Sequence, residues 1–258
     1  MQVCALAAQN TSTMAARERL DAALVRRGLA ETRERAHALI LSGVVQVNGA
    51  PATRPAQPIP AEANIDVAKT DEFVSRGALK LQKALDHWNI DPQQKVVLDV
   101  GASTGGFTDL LLRRGASRVY ALDVGYGQLH YRLRNDPRVI SMERTNIRNL
   151  RVLPEPIQLG VVDVSFISLK LALPPMFKLV REQIVALIKP QFEAGREHVG
   201  KGGVVRDPKL HQKVIDELKL WSRSQPWRFV DCVESPIKGP AGNVEFLSRW
   251  VPIISEEC

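Results

Sequence analysis

The stretch from Val96 to Leu112 constrains the fold of this chain more than any other. It begins as an apolar run of strand type, Val96–Val100, continues through a loop with three glycines, and ends in a helical run over residues 106–112. A strand, a glycine-rich loop and a helix in this order form the opening unit of a nucleotide-binding α/β sheet. Because glycine lacks Cβ, a ligand can lie against the loop backbone. The spacing is neither the dinucleotide pattern G-x-G-x-x-G nor a P-loop, since no Lys-Ser/Thr pair follows.

An acid, Asp99, stands just before the first glycine of this loop. The resulting pattern, D-x-G-x-x-x-G-G, resembles the first motif of S-adenosylmethionine-dependent methyltransferases. Two other interpretations stay open: a different nucleotide-binding enzyme, or a loop whose glycines only allow helix and strand to pack closely. The resemblance implies S-adenosylmethionine as the cofactor. It implies contacts from Asp99, Gly101, Ser103, Thr104, Gly105, Gly106, Phe107, Asp123, Val124, Asn146 and Asp163.

Two polar residues of this set lie at or beyond the ends of later strands. Asp123 ends the predicted strand 118–123, at a position where an acid typically accepts hydrogen bonds from ribose hydroxyls. Asn146 follows the predicted strand 139–142 and either faces an adenine ring or forms a turn. The sequence favours neither alternative for Asn146.

Strands and helices alternate along the whole segment 76–258. Predicted strands end at 100, 123, 142, 163 and 189, predicted helices span 169–180 and 208–222, and two consecutive strands, 229–233 and 244–251, close the chain. This order predicts an α/β fold with a mostly parallel sheet and helices on both faces. The final pair of strands is typical of the antiparallel edge of a Rossmann-like methyltransferase sheet.

Composition narrows the class of protein and its partners. The chain has 258 residues and a formal net charge of +7, which favours a polyanionic partner such as nucleic acid. Its three cysteines have no C-x-x-C spacing, so the sequence predicts neither a disulfide framework nor a zinc site and favours the cytoplasm. No apolar run is long enough to span a bilayer. We interpret residues 1–16 as a disordered start rather than a signal peptide.

A small separate module precedes the α/β segment, over residues 17–69. Two helical patterns, one ending at Gly28 and one at Gly43, are followed by V-Q-V-N-G, in which Asn48-Gly49 is a strong hairpin signal. This arrangement resembles an S4 RNA-binding domain of α-L type, and a linker is expected over residues 70–75. Its arginines are the predicted phosphate contacts, although a merely solvated basic face is the alternative: Arg17, Arg19, Arg26, Arg27, Arg33 and Arg35.

Lys189 is an unusual residue because it directly follows the apolar run Ile184–Ile188. A lysine at the end of a buried strand is costly unless it is paired or deprotonated, and the alternative is a side chain that reaches solvent at the sheet rim. Lys80, in S-R-G-A-L-K-L, and Glu245, in G-N-V-E-F, are ambiguous when each is considered alone.

Taken together, motifs spread over residues 17–251 resemble the TlyA family. They include D-V-G-A-S-T-G-G-F, D-V-S-F-I-S-L, K-P-Q-F-E and G-N-V-E-F. The family comprises S4-linked, FtsJ-like ribosomal RNA 2′-O-methyltransferases that are often called haemolysins. The resemblance implies a catalytic tetrad at Lys80, Asp163, Lys189 and Glu245. It also implies ribosomal RNA or a ribosomal subunit as the partner and cytidine as the modified nucleotide.

The tetrad suggests a mechanism that needs no metal. A ribose 2′-hydroxyl is a poor nucleophile until it is deprotonated, and Lys189 is the expected base, with Lys80 supplying a nearby positive charge. The alternatives are a base amino-methyltransferase, a non-catalytic ribosome factor and a membrane-lytic protein. Against the first, the chain lacks both prolines of the usual amino-methyltransferase motif at 163–166. Against the last, it lacks an amphipathic or membrane-spanning segment.

A second basic region lies in the α/β segment. Nine arginines occur between residues 113 and 151, opposed by three acids. We expect Arg132 and Arg134 to contact RNA, with a solvated basic face as the alternative.

Overall fold

The computed structural model describes residues 17–41, 43–67, 73–200 and 202–253. Backbone contacts divide the chain into two compact units, residues 1–72 and 73–258. The predicted disordered start and residues 70–72 of the predicted linker lie outside the described residues. Phe73 and Val74, which the sequence assigns to the linker, pack against the core of the second unit. The domain limits otherwise stay a prediction.

Over its described residues, the first unit combines two helices with short strands. Its elements are β1 (Arg17–Arg19), α1 (Leu20–Arg26), α2 (Arg33–Leu41), β2 (Val45–Val47), β3 (Ala50–Pro51), β4 (Pro58–Pro60) and β5 (Ile65–Val67). Strand β2 pairs antiparallel with both β3 and β5. The hairpin at Asn48-Gly49 is present, with φ values of 51° and 79°. Leu20, Leu24 and Ile40 form part of a buried core beneath these strands.

One pairing in this unit is not indicated by the local sequence. The prolines at 58 and 60 suggest only a stiff loop, yet they belong to β4, which pairs antiparallel with β1. Proline has no N–H for a ladder and is tolerated at a sheet edge, and this ladder has two strands. Ile59, between the prolines, is buried in the core. Pairing with β1 makes the segment a strand, and burial of Ile59 stabilises it.

The second unit is an α/β structure built on a sheet that has seven strands within the described residues. Its elements are α3 (Gly77–His87), β6 (Val96–Val100), α4 (Gly106–Arg113), β7 (Arg118–Leu122), α5 (Tyr131–Arg134), β8 (Val139–Met142), β9 (Ile157–Val162), α6 (Leu169–Leu179), β10 (Val180–Ile188), α7 (Pro190–Glu193), α8 (Pro208–Ser222), β11 (Trp227–Glu234) and β12 (Phe246–Pro252). The strand order is β11-β12-β10-β9-β6-β7-β8.

Strands β6 to β10 are parallel to one another, and β12 runs antiparallel to both of its neighbours, β10 and β11. The predicted parallel sheet with an antiparallel edge is therefore confirmed. Two hydrophobic cores cover its faces, one under α6 and α8 and the other under α3 and α4. Within the described residues, no helix is long and apolar enough to cross a membrane.

The register of three neighbouring strands brings three of the tetrad residues together, Asp163, Lys189 and Glu245, whereas Lys80 is carried by α3. Strands β9 and β10 run parallel, with Val162 opposite Ala186, so Asp163 and Lys189 follow adjacent strand ends. Strand β12 runs antiparallel to β10, with Phe246 opposite Ile188. The residue before β12 therefore lies beside the residue after β10. The sequence places Glu245 inside the last strand, which is wrong, because β12 begins at Phe246.

Candidate active site

Two cavities open at the carboxyl ends of the parallel strands. The larger, of about 910 Å³, is lined by the ends of β6, β7 and β9 and by the segment 164–168. The smaller, of about 330 Å³, is lined by the start of α3, the glycine loop and the segment 237–240. Four residues line both cavities: Gly101, Ser103, Asp163 and Ser165. A group bound in one cavity can therefore reach a group bound in the other.

The glycines of the loop are required by packing within the chain. A Cβ on Gly101 would lie 2.3 Å from the carbonyl oxygen of Asp163, and one on Gly105 would lie 2.2 Å from Leu133 Cδ1. Both residues also have positive φ values, 87° and 98°, which strain any residue with a side chain. The interpretation that these glycines permit close packing is thus supported at both positions. Such packing does not exclude a ligand on the other side of the loop.

Asp123 holds the glycine loop in place. Its Oδ2 accepts a hydrogen bond from Ser103 N at 2.8 Å, and its Oδ1 accepts one from Gly125 N at 2.7 Å. The carboxylate also lines the larger cavity. Because each carboxylate oxygen has a second lone pair, Asp123 can still accept hydrogen bonds from a ligand's hydroxyls.

Asp99 lies beneath the loop rather than in either cavity. It is fully buried, and its Oδ2 accepts a hydrogen bond from the Thr108 hydroxyl at 2.7 Å. Its Oδ1 has no hydrogen-bond partner among the described residues. Burial raises the pKa of Asp99 to about 7, against the lowering effect of the Thr108 hydrogen bond. Direct contact of Asp99 with a cofactor stays a prediction.

The four tetrad residues form two charge pairs at the smaller cavity. Lys80 Nζ donates to Glu245 Oε2 at 2.6 Å, and this pair is almost completely buried. Lys189 Nζ lies 2.6 Å from Asp163 Oδ1 and donates to Ser165 Oγ at 2.8 Å. Lys80, Asp163 and Lys189 line the cavity, and Glu245 lies behind Lys80. Two lysines, each held by a carboxylate, thus face one small space.

The remaining predicted contacts divide between the cavities. Those that line the larger one are Gly101, Ser103, Asp123, Val124, Asn146 and Asp163. Thr104, Gly106 and Phe107 line only the smaller one, and Gly105 lines neither. Phe107 is also a core residue. The Asn146 side chain accepts a hydrogen bond from Arg148 N at 3.0 Å, so it forms a turn and faces the larger cavity at once.

Sequence reasoning did not single out three residues of this site. Ser165 orients Lys189, and Phe166 is 90% exposed at a φ of 65° beside the larger cavity. The buried amide oxygen of Gln191, which also lines this cavity, has no hydrogen-bond partner among the described residues. All three lie in the motifs D-V-S-F-I-S-L and K-P-Q-F-E, which supplied the available signal.

The larger cavity fits S-adenosylmethionine. Val100, Leu122 and Ile147 give it an apolar wall that suits an adenine ring. The free lone pairs of Asp123 suit ribose hydroxyls, and the unpartnered oxygen of Gln191 suits an amino group. No phosphate-binding pattern is needed, because this cofactor carries none.

In the first unit, the buried Asp21 organises two guanidinium groups and an imidazole. It accepts two hydrogen bonds from the Arg19 guanidinium, at 3.0 and 2.7 Å, and lies 2.9 Å from His37 Nε2 and 3.8 Å from Arg33 Nη2. The Arg19 guanidinium holds the pKa of Asp21 well below its usual range. Arg19 and Arg33 each keep about half of their side-chain surface exposed.

The other predicted RNA contacts have different surroundings. Arg26 and Arg27 pair with Glu18, and Arg27 also donates to the carbonyl oxygens of Ala61 and Ala63, so it fixes a turn of the chain. Arg17 and Arg35 are exposed. In the second unit Arg132 is exposed, whereas Arg134 donates to Leu129 O and Glu143 Oε1.

Comparisons with known proteins agree with this geometry. Residues 73–250 match the FtsJ-like methyltransferase family, and residues 18–65 match the S4 domain. The chain is 47% identical over 241 residues to the 16S/23S rRNA (cytidine-2′-O)-methyltransferase TlyA of Mycobacterium tuberculosis, covering 90% of this chain and 89% of that protein. It is 44% identical over 238 residues to Hemolysin A of Brachyspira hyodysenteriae, covering 90% and 99%.

A solved structure from Streptococcus thermophilus, described as a hemolysin, superposes on the chain. The TM-score is 0.72 at 40% identity, covering 93% of this chain and 90% of that one. The matches extend over both units of the chain. The chain therefore belongs to the TlyA family, in which an S4 domain is followed by an FtsJ-like methyltransferase domain.

Proposed function

We propose that this protein transfers a methyl group from S-adenosylmethionine to a ribose 2′-hydroxyl of ribosomal RNA, at cytidine. The observation that carries the proposal is the pair of cavities that meet at Gly101, Ser103, Asp163 and Ser165. The larger one suits the cofactor, and the smaller one presents two carboxylate-bound lysines. Relatives that are 47% identical over 90% of the chain carry the name of this activity.

Lys189 acts as the base in the mechanism that we propose. S-adenosylmethionine supplies a methyl group on a cationic sulfur, so transfer is a direct displacement. The bound cofactor would supply the methyl carbon for the new bond to the ribose oxygen and would leave with the electron pair of the broken carbon–sulfur bond, while Lys189 accepts the hydroxyl proton. Asp163, 2.6 Å from Lys189 Nζ, stabilises the ammonium group that results. Ser165 fixes the direction of the amine.

Lys80 and Glu245 provide a charged wall rather than a proton acceptor. Their pair is buried, with 8% and 1% of the side-chain surfaces exposed. The ammonium of Lys80 lines the same cavity as Lys189, and it favours negative charge that develops on the ribose oxygen.

RNA is held first by the S4 unit. The exposed guanidinium groups of Arg19 and Arg33, together with His37, surround one buried carboxylate, so their positions are fixed before RNA binds. Arginines suit phosphate recognition because the guanidinium donates two parallel hydrogen bonds. Arg17, Arg35 and Arg132 are exposed and extend the proposed set of contacts. Arg27 contributes mainly to the fold of the unit.

The test is a methylation assay with the purified chain. Ribosomal RNA and isolated ribosomal subunits are incubated with radiolabelled S-adenosylmethionine, and the modified nucleoside is identified after nuclease digestion. We expect 2′-O-methylcytidine, no incorporation into RNA with deoxycytidine at the mapped site, and full activity in the presence of a chelator. A methyl group on the base, or none on RNA and subunits alike, would contradict the proposal. Location in the cytoplasm stays a prediction.

A further inference from the structure

Side chains continue the parallel pairing of β9 and β10 beyond the end of the sheet. The segment that follows β9 and the segment that follows β10 are joined by three contacts in chain order. The first joins Lys189 to Asp163 and Ser165, the second packs Phe192 against Phe166 at 5.1 Å between ring centroids with the rings tilted by 51°, and the third is made by Glu193. We call the segments 163–169 and 189–193, with these contacts, the post-strand ladder.

Glu193 forms the last contact through both carboxylate oxygens. Its Oε2 accepts a hydrogen bond from the Ser168 hydroxyl at 2.6 Å, and its Oε1 accepts one from Leu169 N at 2.7 Å. Ser168 is in turn the N-cap of α6, where it accepts a hydrogen bond from Lys170 N. Glu193 therefore ties the first turn of α6 to the short helix that directly follows Lys189.

Removing the Glu193 carboxylate from water costs free energy, which its hydrogen bonds must offset. Burial raises the pKa of Glu193, against the lowering effect of the Ser168 and Leu169 hydrogen bonds. Alternative caps for α6 exist that need no acid from another segment, since Ser168 already serves as one. Capping of α6 therefore does not require Glu193, and the effect specific to its carboxylate is to join the segment after β10 to the start of α6.

We propose that Glu193 is a positioning residue for methyl transfer: it holds the segment that carries Asp163 and Ser165 in register with Lys189. The inference rests on the proposed function of Lys189 as the base. Without Glu193, the hydrogen bonds to Ser168 and Leu169 are lost, and the register of the two segments then depends on the contacts of Lys189 and on the Phe166–Phe192 pair. A displacement of about 1 Å between reacting groups can lower a rate by roughly 10²-fold.

The experiment compares Glu193→Ala and Glu193→Gln with a matched control, Asp207→Ala. Asp207 caps α8 by accepting a hydrogen bond from Lys209 N and lines neither cavity of the site. We expect Glu193→Ala to lower kcat by at least about tenfold with the KM for RNA within about twofold of wild type. Glu193→Gln should recover most of the rate, since its amide oxygen can still accept one hydrogen bond. Asp207→Ala should lower the unfolding temperature but leave kcat unchanged.

A second measurement does not depend on methyl transfer. Lys189 is labelled with an amine-reactive reagent and its modification is followed by mass spectrometry, relative to the exposed Lys178. We expect faster labelling of Lys189 in Glu193→Ala than in wild type. Unchanged kcat together with unchanged labelling, or an equal loss of kcat in Asp207→Ala, would overturn the inference. If wild type transfers no methyl group, the proposed function fails and the labelling alone decides the role of Glu193.

Discussion

Lys80 and Glu245 are 165 residues apart in the sequence, yet their charged groups meet at 2.6 Å in the interior of the second unit. Glu245 is 1% exposed, and Gly239 approaches it so closely that a Cβ there would lie 2.4 Å from its Oε1. Removing one member of such a pair leaves an uncompensated buried charge. The pair therefore belongs to the fold as much as to the chemistry.

We expect Lys80→Met to lower the free energy of unfolding by about 3–5 kcal/mol. Lys80→Met/Glu245→Gln should recover part of this loss, because neither charge is then left alone. Urea denaturation measures both variants. The exposed pair Lys95–Glu182, also at 2.6 Å, is the control, and Lys95→Met should cost about 1 kcal/mol or less. Equal losses for Lys80→Met and the double variant would contradict this account.

Lys189→Ala should abolish methyl transfer, with a loss in kcat of about 10²–10⁴-fold, and leave cofactor and RNA binding nearly unchanged. Lys189→Arg should be almost as inactive, since a guanidinium does not accept a proton. Lys178→Ala, on the exposed side of α6, is the control. Substantial turnover by Lys189→Arg would refute the assignment of Lys189 as the base.

Asp99 makes stability depend on pH. Its folded-state pKa of about 7 is above the value of about 3.9 for a carboxyl group in an unfolded chain. Between these pH values the folded protein holds a proton that the unfolded chain has released. The contribution of Asp99 to the free energy of unfolding is therefore complete below about pH 4 and is lost as pH rises through about 7.

Asp99→Asn should flatten this part of the stability curve. The amide oxygen can still accept from Thr108, so the packing is conserved. Urea titrations between about pH 4.5 and 8 on both proteins measure the difference in slope. Parallel curves for wild type and Asp99→Asn would show that Asp99 does not titrate in this range.

Asp123→Ala should weaken binding of S-adenosylmethionine by about 1–3 kcal/mol, because the Ser103 and Gly125 amides lose their acceptor and the ribose loses a partner. Isothermal titration calorimetry gives the change in Kd directly. Asp136→Ala is the matched control, since Asp136 also accepts a backbone hydrogen bond but lines neither cavity. An unchanged Kd for Asp123→Ala would remove this residue from the cofactor site.

Arg19→Ala/Arg33→Ala should weaken binding to ribosomal RNA and reduce the salt dependence by about two units of slope, one for each lost phosphate contact. Fluorescence anisotropy over a series of salt concentrations measures both quantities. Lys213→Ala/Lys219→Ala removes the same charge from α8 in the other unit and is the control. If both double variants give the wild-type slope, Arg19 and Arg33 do not contact RNA.

Much of the fold could be predicted because local patterns and tertiary packing agree. The parallel strands and the Asn48-Gly49 hairpin follow from apolar runs and turn residues. Strand β4 could not be predicted, since Pro58 and Pro60 point to a loop and only the distant partner β1 makes it a strand. Pairing between remote segments is not visible in local composition.

In the candidate site, too, the features that depend on local sequence could be predicted and those that depend on remote contacts could not. The residue types at the strand ends indicate a cofactor cavity, and family resemblance indicates which lysines and acids meet. The sequence does not show that Gly101 is required by the backbone of Asp163, or that Glu193 contacts the start of α6. These relations depend on which strands are neighbours, and this is a property of the assembled sheet.

The post-strand ladder also constrains how the sequence of this protein can evolve. Its contacts occur in the same order along both segments, from Lys189 with Asp163 to Glu193 with Leu169. Exchange of a side chain alters one contact, but an insertion or deletion shifts every contact beyond it and separates Lys189 from Asp163 or Glu193 from Ser168. We therefore expect insertions and deletions in this chain to arise in the loops at the amino ends of the parallel strands. We do not expect them between Asp163 and Leu169 or between Lys189 and Glu193.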